Sequence, residues 1–404
     1  MNILFLTLVE INDFNQTGIY PDLIYEFAEH GHDMYVISPC EEKNMNRYTL
    51  LRESDHIHLI SAIIHNYYGV GHFKKGIATL VIGKRYFEAI NKAIPKIKFE
   101  LILYSTPPIT FYNVIKKLKK RDKAYTYLLL KDIWPQGLID VGALSSSGLK
   151  GIVTCYFKHK EKKLYDISDF IGCMSKKNCE YIIERSCVCK DKVEVCPNSI
   201  KVRGDNIVNK KMVRKYYTLP IDKTIFVYGG NLGVAQGIDF IIRCLIEIEK
   251  KEGVFILIVG SGTEYKRLSD WFEANQPKNS KLISFLPKKE YLEIMVACDV
   301  GLIFLDHRFT IPNFPSRILS YLEYKMPILA VTDTATDIGE IIVAGEFGYW
   351  CESNDVKRFG ELLELFMDTE ECSQMGINGY NYLIKHYSTN IAYKIIMKHI
   401  EEKV

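Results

Sequence analysis

The chain has 404 residues, of which 48% are hydrophobic and 25% charged, and its formal net charge is +3. This length allows two domains with separate cores, and the near-neutral charge gives no reason to expect a nucleic-acid partner. Because the apolar runs are short and the N-terminus lacks a basic leader, we expect neither a transmembrane helix nor a signal peptide.

The eleven cysteines, an odd number, favour free thiols in a reducing cytoplasm over a disulfide framework. Cys187 and Cys189 lie near Cys179 and Cys196 in the chain, which raises the possibility of a metal site. No CxxC pair occurs there and no histidine is close, so we interpret this cluster as ordinary thiols.

Apolar segments and helical segments alternate along the first half of the chain, which predicts a parallel sheet with helices on both faces. We predict helices at residues 21–30 and 75–93. The predicted strands lie at residues 3–8, 34–38, 57–62, 101–104, 125–130 and 170–173. Gly18 follows the first strand, where it either gives a ligand-facing loop room or forms an ordinary strand–helix turn.

A dense basic run, KKLKKRDK at residues 116–123, lies in this half, and further lysines occur at 158, 160, 162 and 163. Charge alone leaves two interpretations open. The lysines are either solvated helix faces or part of a surface that meets anionic lipid headgroups.

After a polar segment at 201–206, which we interpret as an interdomain linker, the alternation of strands and helices continues. A predicted strand at 224–228 leads into GGNLGVAQG at 229–237, and a second at 254–259 leads into GSG at 260–262. Glycines between a strand and a helix let the backbone approach a ligand. The two turns therefore indicate a ligand site at the C-terminal edge of a parallel sheet.

The segment 313–330 predicts a loop, a helix and a buried strand. Pro315 prevents a helix from entering from upstream, Ser316 is a favourable N-cap, and Arg317 opens the helix. A capped helix start with a cation suits a phosphate group. Many such helices bind nothing, so the segment by itself favours phosphate only slightly.

The two glycine turns are followed by Phe285-Leu286-Pro287 and then by the helix that begins at Pro315-Ser316-Arg317. This order of motifs resembles the C-terminal domain of GT-B glycosyltransferases of the GT4 type. The chain resembles more closely the bacterial subgroup that builds O-antigen and capsule repeat units, which includes L-fucosamine (N-acetylfucosamine) transferases. STPPIT at 105–110 and KDIWP at 131–135 resemble motifs of that subgroup, and VCPNSI at 195–200 resembles the close of its first domain.

This resemblance implies an α/β protein of the GT-B fold, with two Rossmann-like doubly wound parallel-sheet domains facing a central cleft. Residues 1–200 would bind the acceptor, residues 201–384 the nucleotide sugar, and a helix at 385–404 would cross back to the first domain. The implied reaction moves a sugar, an N-acetylated deoxyhexose, from a UDP-sugar to a lipid-linked saccharide with retention of configuration. The implied location is the cytoplasmic face of the inner membrane, with no cofactor besides the donor and no nucleic acid.

Sugar transfer builds negative charge on the leaving diphosphate, which cations and N–H groups must stabilise. The chain has no convincing DxD motif, so we expect no metal. Where relatives carry E-x7-E this chain has Pro312 and Ser320, and where relatives place basic residues on the pyrophosphate it has Asn231 and Gln236. The resemblance therefore assigns catalysis to three residues, Arg317, Lys131 and Asp132. The donor-binding positions it assigns are Gly18, Gly230, Asn231, Gly233, Gln236, Gly260, Gly262, Leu286, Pro315, Ser316, Ser320 and Glu340.

Each assignment has a structural alternative. Lys131 would be a surface lysine at a strand end, Arg317 a helix-capping salt bridge, and Glu340 a helix cap. Two other functions also stay open. The missing E-x7-E is compatible with a non-catalytic partner that binds nucleotide sugar, and a UDP-sugar 2-epimerase shares the architecture but would need a carboxylate-rich cleft.

Overall fold

The computed structural model describes residues 1–40, 50–64, 72–142, 144–145, 147–203 and 208–401. The chain divides into two compact units, Met1–Lys201 together with Tyr387–Val404, and Val202–His386. Part of the predicted linker, residues 204–206, lies outside the described residues.

The first unit contains an eight-stranded sheet with the order β3-β4-β2-β1-β5-β6-β7-β8. Its strands are β1 (Asn2–Leu6), β2 (Asp33–Cys40), β3 (Leu50–Ser54), β4 (Ile57–Ile63), β5 (Leu101–Ser105), β6 (Tyr125–Leu130), β7 (Phe170–Cys173) and β8 (Val193–Val195). All neighbours are parallel except β3, which runs antiparallel to β4. The predictions missed β3 and β8, because these edge strands are short and carry charged residues.

Within the described ranges, six helices connect these strands: α1 (Ile19–Glu29), α2 (His72–Ala93), α3 (Tyr112–Asp122), α4 (Gln136–Asp140), α5 (Gly148–Ile167) and α6 (Lys176–Ser186). Along α3, Val114, Ile115 and Leu118 are buried, while the opposite face carries lysines. The helix α3 packs beside both α2 and α5. These three helices therefore form one layer, which we call the basic layer.

The second unit contains six parallel strands with the order β11-β10-β9-β12-β13-β14. They are β9 (Thr224–Asn231), β10 (Val254–Ser261), β11 (Ser280–Ile283), β12 (Val300–Phe304), β13 (Ile328–Thr332) and β14 (Gly348–Glu352). The strand order reverses between β9 and β12. In open parallel sheets, ligands bind beyond the carboxyl ends of the strands at such a reversal.

The helices of the second unit are α7 (Lys210–Tyr216), α8 (Ile238–Ile248), α9 (Tyr265–Asn275), α10 (Lys288–Val296), α11 (Arg317–Glu323), α12 (Ile338–Ala344), α13 (Val356–Leu365) and α14 (Thr369–His386). Buried apolar residues of β9, β10, β12 and α8 pack together in the core of this unit. That core holds the sheet rigid beneath its C-terminal edge.

The last helix, α15 (Thr389–Glu401), belongs to the first unit. Its residues Tyr393 and Ile396 are buried in the same core as β1 and β5. At its start, the Thr389 hydroxyl donates to Glu26 of α1 at 2.6 Å. The first unit is therefore closed by a segment distant from it in sequence.

The structure is an α/β fold with two parallel-sheet units, as the sequence predicted. None of the helices in the described ranges combines the length and apolar character that crossing a membrane requires. None of the eleven cysteines, all of which lie in the described ranges, forms a disulfide.

Candidate functional site

The glycine turn of the second unit begins later than predicted, because β9 continues through Gly229 and Gly230 to Asn231. Gly230 pairs with Gly260 of β10, and Asn231 pairs with Ser261. A Cβ on Gly260 would lie 1.9 Å from the Gly230 carbonyl oxygen, so the two strand ends can pair this closely only without a side chain at Gly260. Gly230 also has a φ of +131°, which disfavours any side chain there.

The rest of the turn is closed by its own amide side chains. The Gly233 N–H donates to Gln236 Oε1 at 2.9 Å, and Asn231 Nδ2 lies 3.5 Å from the same oxygen. Gln236 is buried. A Cβ on Gly262 would lie 2.2 Å from the Leu232 carbonyl oxygen, so the next turn packs directly on the first. Asn231 and Gln236 thus shape the turn and supply no positive charge.

Arg317 supplies that charge, and the fold brings it to the glycine turn. Its Nη1 donates to the Gly229 carbonyl at 2.8 Å, and its guanidinium carbon lies 4.1 Å from the centre of the Tyr228 ring. The residue is partly buried. Among the described residues, no carboxylate pairs with it, so the helix-capping salt bridge proposed as the alternative is not observed. A guanidinium is always protonated, so this edge of the sheet holds a fixed cation.

Ser316 stands at the N-cap position of α11, as predicted, but its side chain does not cap the helix. Ser316 already has helical dihedral angles, φ −65° and ψ −12°, and its side chain makes no capping hydrogen bond. The Ile318 N–H bonds to the Pro315 carbonyl and the Leu319 N–H to the Ser316 carbonyl, so the first turn starts at Pro315 and encloses Ser316. With only seven residues in α11, the case for phosphate binding here depends on Arg317 and not on the helix dipole.

Three more predicted residues lie beyond the carboxyl ends of strands in this unit or on the helices that follow. Leu286 is partly buried in the loop after β11, beside Phe285, whose side chain is 70% exposed. Ser320 is partly buried on α11. Glu340 is exposed in the first turn of α12, whose N-cap is Asp337.

Lys131 and Asp132 lie in the first unit, immediately after β6. The Lys131 backbone N–H donates to the Thr106 hydroxyl at 3.2 Å, and its Nζ donates to the Cys196 carbonyl at 3.4 Å. Lys131 is therefore turned inward, unlike the surface lysine of the alternative interpretation. Desolvation lowers the pKa of its amine to about 8, although the neighbouring Cys196, Cys173 and Asp132 act in the opposite direction.

Asp132 is exposed, yet the protein around it still raises the pKa of its carboxyl to about 6 through desolvation, against the opposing effect of Lys131.

Gly18 lies in the same unit before α1, with a φ of +140°. A Cβ there would meet nothing within 4 Å, so the backbone angle and not space favours glycine.

The sequence prediction missed the tyrosines that surround Arg317. The Tyr228 hydroxyl donates to the Asn231 carbonyl at 2.7 Å, and Tyr291 of α10 packs so closely on Gly229 that a Cβ there would lie 2.0 Å from its hydroxyl oxygen. The only signal for Tyr228 was its place directly before two glycines. Tyr291 had none, because it is 62 residues away in the chain from Gly229.

Within the described ranges, no three His, Cys, Asp or Glu side chains come together as a metal site would require. The fixed cation and the glycine turn are thus the features of the second unit that suit an anionic ligand.

Comparison with known proteins finds likenesses in this unit. Residues 209–382 match the family described as Glycosyl transferases group 1. "Probable glycosyltransferase WbjE" of Pseudomonas aeruginosa is 26% identical over 155 residues, which span 38% of this chain and 38% of that protein. The alignment thus covers less than half of the curated relative.

Solved structures match over the whole chain. Sucrose-phosphate synthase from Thermosynechococcus elongatus has a TM-score of 0.75 at 14% identity, covering 99% of this chain and 98% of its own. Anabaena Alr3699/HepE, solved in complex with UDP, has a TM-score of 0.67 at 13% identity and full coverage of both chains. WaaG, a glycosyltransferase involved in lipopolysaccharide biosynthesis, has a TM-score of 0.63 at 11% identity, covering 98% and 99%. These likenesses show that the fold is GT-B.

Proposed function

We propose, from the group 1 domain in residues 209–382, that this protein is a glycosyltransferase that moves a sugar from a nucleotide sugar to a saccharide acceptor. The observation that carries the proposal is the contact between Arg317 and the Gly229–Gly230 backbone at the C-terminal edge of the six-stranded sheet. Breaking the bond between the sugar and the diphosphate releases negative charge, and a fixed guanidinium beside exposed backbone is suited to receive it.

We propose UDP as the nucleotide of the donor. Anabaena Alr3699/HepE, which shares the fold, was solved with UDP and with UDP-glucose. In this reading the diphosphate lies against Arg317 and the glycine turn, without a metal ion, and the configuration at the anomeric carbon is retained. The donor sugar would be an N-acetylated deoxyhexose, by the resemblance to transferases of O-antigen and capsule synthesis.

Lys131 and Asp132 are proposed to act on the acceptor side. Both follow β6 at the C-terminal edge of the first sheet. Amines and carboxyls whose pKa values are displaced toward neutrality are common among residues that transfer protons. The lowered pKa of the Lys131 amine and the raised pKa of the Asp132 carboxyl fit such roles.

The acceptor is proposed to be a lipid-linked saccharide, reached at the cytoplasmic face of the inner membrane. Support comes from the basic layer, whose three helices hold fifteen Lys and Arg residues against four Asp and Glu residues, while the whole chain has a net charge of +3. Ile152, Val153 and Tyr156 on α5 are also exposed, at 68%, 44% and 43%. Apolar side chains among lysines suit an interface with anionic lipid.

The test is a turnover assay in which the purified protein is given a panel of nucleotide sugars and a lipid-linked saccharide extract. Release of the nucleoside diphosphate together with a heavier glycolipid product is expected for a UDP-sugar, and its loss in Arg317→Ala is expected as well. Binding without turnover across the panel would instead identify a non-catalytic partner. Conversion of the donor into its 2-epimer would identify an epimerase.

A further inference from the structure

We infer that Tyr228 is a positioning residue that holds Arg317 and the glycine turn together as one rigid diphosphate site. This inference rests on the proposed function. Tyr228 is the last ordinary side chain of β9 before the two glycines, and it is fully buried. Its ring and its hydroxyl contact two different parts of the site.

The ring of Tyr228 supports the cation. The Arg317 guanidinium carbon lies 4.1 Å from the ring centre, within the range of a cation–π interaction, which is strongest where water is excluded. An arginine side chain has many rotamers, so a flat partner on one face and the Gly229 carbonyl on Nη1 remove most of its freedom. The guanidinium is therefore already held in position before a ligand binds.

The hydroxyl of Tyr228 supports the backbone. It donates to the Asn231 carbonyl at 2.7 Å and so spans Gly229 and Gly230, which have no side chains of their own to fix them. Glycine backbone is otherwise the most freely moving part of a chain. Because the same residue contacts both Arg317 and Asn231, a movement of the turn would also move the cation.

The other side of the turn is confined by Tyr291. Its hydroxyl occupies the position where a Gly229 side chain would be, at 2.0 Å from an ideal Cβ. On the Gly230 side, an ideal Cβ would lie 3.4 Å from Arg317 Nη2. The guanidinium therefore lies over the open face of Gly230, and an anion that reaches this face meets both the cation and the backbone.

The experiment compares the affinities of UDP and uridine by calorimetry in Tyr228→Phe, Tyr228→Leu and Arg317→Ala. Losing one hydroxyl bond in Tyr228→Phe should weaken UDP about fivefold. Losing the ring as well in Tyr228→Leu should weaken it about tenfold to thirtyfold. Uridine has no phosphate, so its affinity should not change. The matched control is Tyr349→Phe on β14, at the edge of the sheet, which loses a hydroxyl bond to Glu371 of α14 and should leave both ligands unaffected.

A double variant separates positioning from packing. If Tyr228 acts through Arg317, Tyr228→Leu should weaken UDP little further once Arg317 is already Ala. Equal weakening of UDP and uridine, or full additivity, would overturn the inference. Should Tyr228→Leu fail to fold, Tyr228→Phe decides, and unchanged UDP affinity there would also overturn it. Failure of the proposed function is a separate result, in which the wild-type protein binds no nucleotide or Arg317→Ala binds UDP normally.

Discussion

Arg317 is held by a backbone carbonyl and a tyrosine ring and, among the described residues, by no carboxylate. Its charge is thus partly removed from water without being neutralised, which is costly unless a ligand supplies the counter-charge. Functional sites are where such an arrangement is expected.

We expect Arg317→Ala to lower kcat/KM by about two to three orders of magnitude, as the loss of a charge-stabilising donor does elsewhere. Arg317→Lys should recover only part, because an ammonium lacks the planar fork. Since the side chain is partly buried and bonded, Arg317→Ala should also reduce the free energy of unfolding by about 1–2 kcal/mol. Kinetics and thermal unfolding of the same variant distinguish the roles, and a lower melting temperature with normal kinetics would assign Arg317 to structure alone.

Lys131 gives a prediction about pH. Its pKa is lowered to about 8 in the folded protein, whereas an unfolded lysine titrates near 10.5. Between pH 8 and pH 10.5 the unfolded chain holds a proton on this amine that the folded protein has already lost. The residue's contribution to the free energy of unfolding therefore rises with pH. The cost of burying the charged amine is fully present below about pH 8 and is relieved as the pH approaches 10.5.

The free energy of unfolding of the wild type relative to Lys131→Met should therefore increase from pH 8 to pH 10.5 in denaturant titrations. Lys357→Met is the control, because that side chain is 90% exposed. A difference that stays constant across this pH range would mean that Lys131 is not desolvated.

At the scale of elements, the structure separates lysines that the sequence grouped together. Lys119 donates to Asp169 at 2.7 Å and to the Ile167 carbonyl at 2.9 Å, so it ties α3 to the end of α5 and to the segment that follows. Lys116, Lys117 and Lys120 are exposed. Spacing along the helix explains the difference, because Lys119 lies beside Leu118 and Ile115 on the side toward the sheet.

We expect the triple change of Lys116, Lys117 and Lys120 to Glu to reduce co-sedimentation with anionic liposomes, since each lysine near such a surface contributes about 1 kcal/mol. Affinity for UDP should not change. The control changes Lys266 and Lys357, exposed lysines of the second unit, to Glu. If co-sedimentation is unchanged in the triple variant, or is equally reduced in the control, these lysines are solvated helix faces with no specific role in lipid binding.

At the scale of the whole molecule, nucleotide binding should stabilise the folded chain. UDP at a hundredfold its Kd should add about 2.7 kcal/mol to the free energy of unfolding. UDP should raise the melting temperature more than GDP or ADP does at equal concentration. A clear response to GDP with none to UDP would contradict the proposed base.

Turnover should also survive a chelator, because the sequence has no convincing DxD motif and Arg317 provides a fixed cation. The measurement is product formation with EDTA, followed by addition of Mn²⁺. Activity that disappears with EDTA and returns with Mn²⁺ would show that the guanidinium does not replace a metal ion.

The sequence by itself determined the α/β class, most of the strands and the three glycines at Gly230, Gly260 and Gly262. These follow from local rules, since buried parallel strands are apolar runs and close backbone approach requires glycine. At Ser316 these rules gave the right N-cap position, but the helical dihedral angles of that residue come without a capping hydrogen bond from its side chain. The same rules missed the edge strands β3 and β8, which are short and carry charged residues.

Only the tertiary structure decided what surrounds Arg317. Its contacts with Gly229 and Tyr228 join residues almost ninety positions apart, and Tyr291 reaches the same turn from a third segment. The hydrophobic periodicity of the sequence does not predict these contacts, because they depend on the order of the strands in the sheet. The inward turn of Lys131 toward Cys196 was decided in the same way, because burial depends on which strands become neighbours.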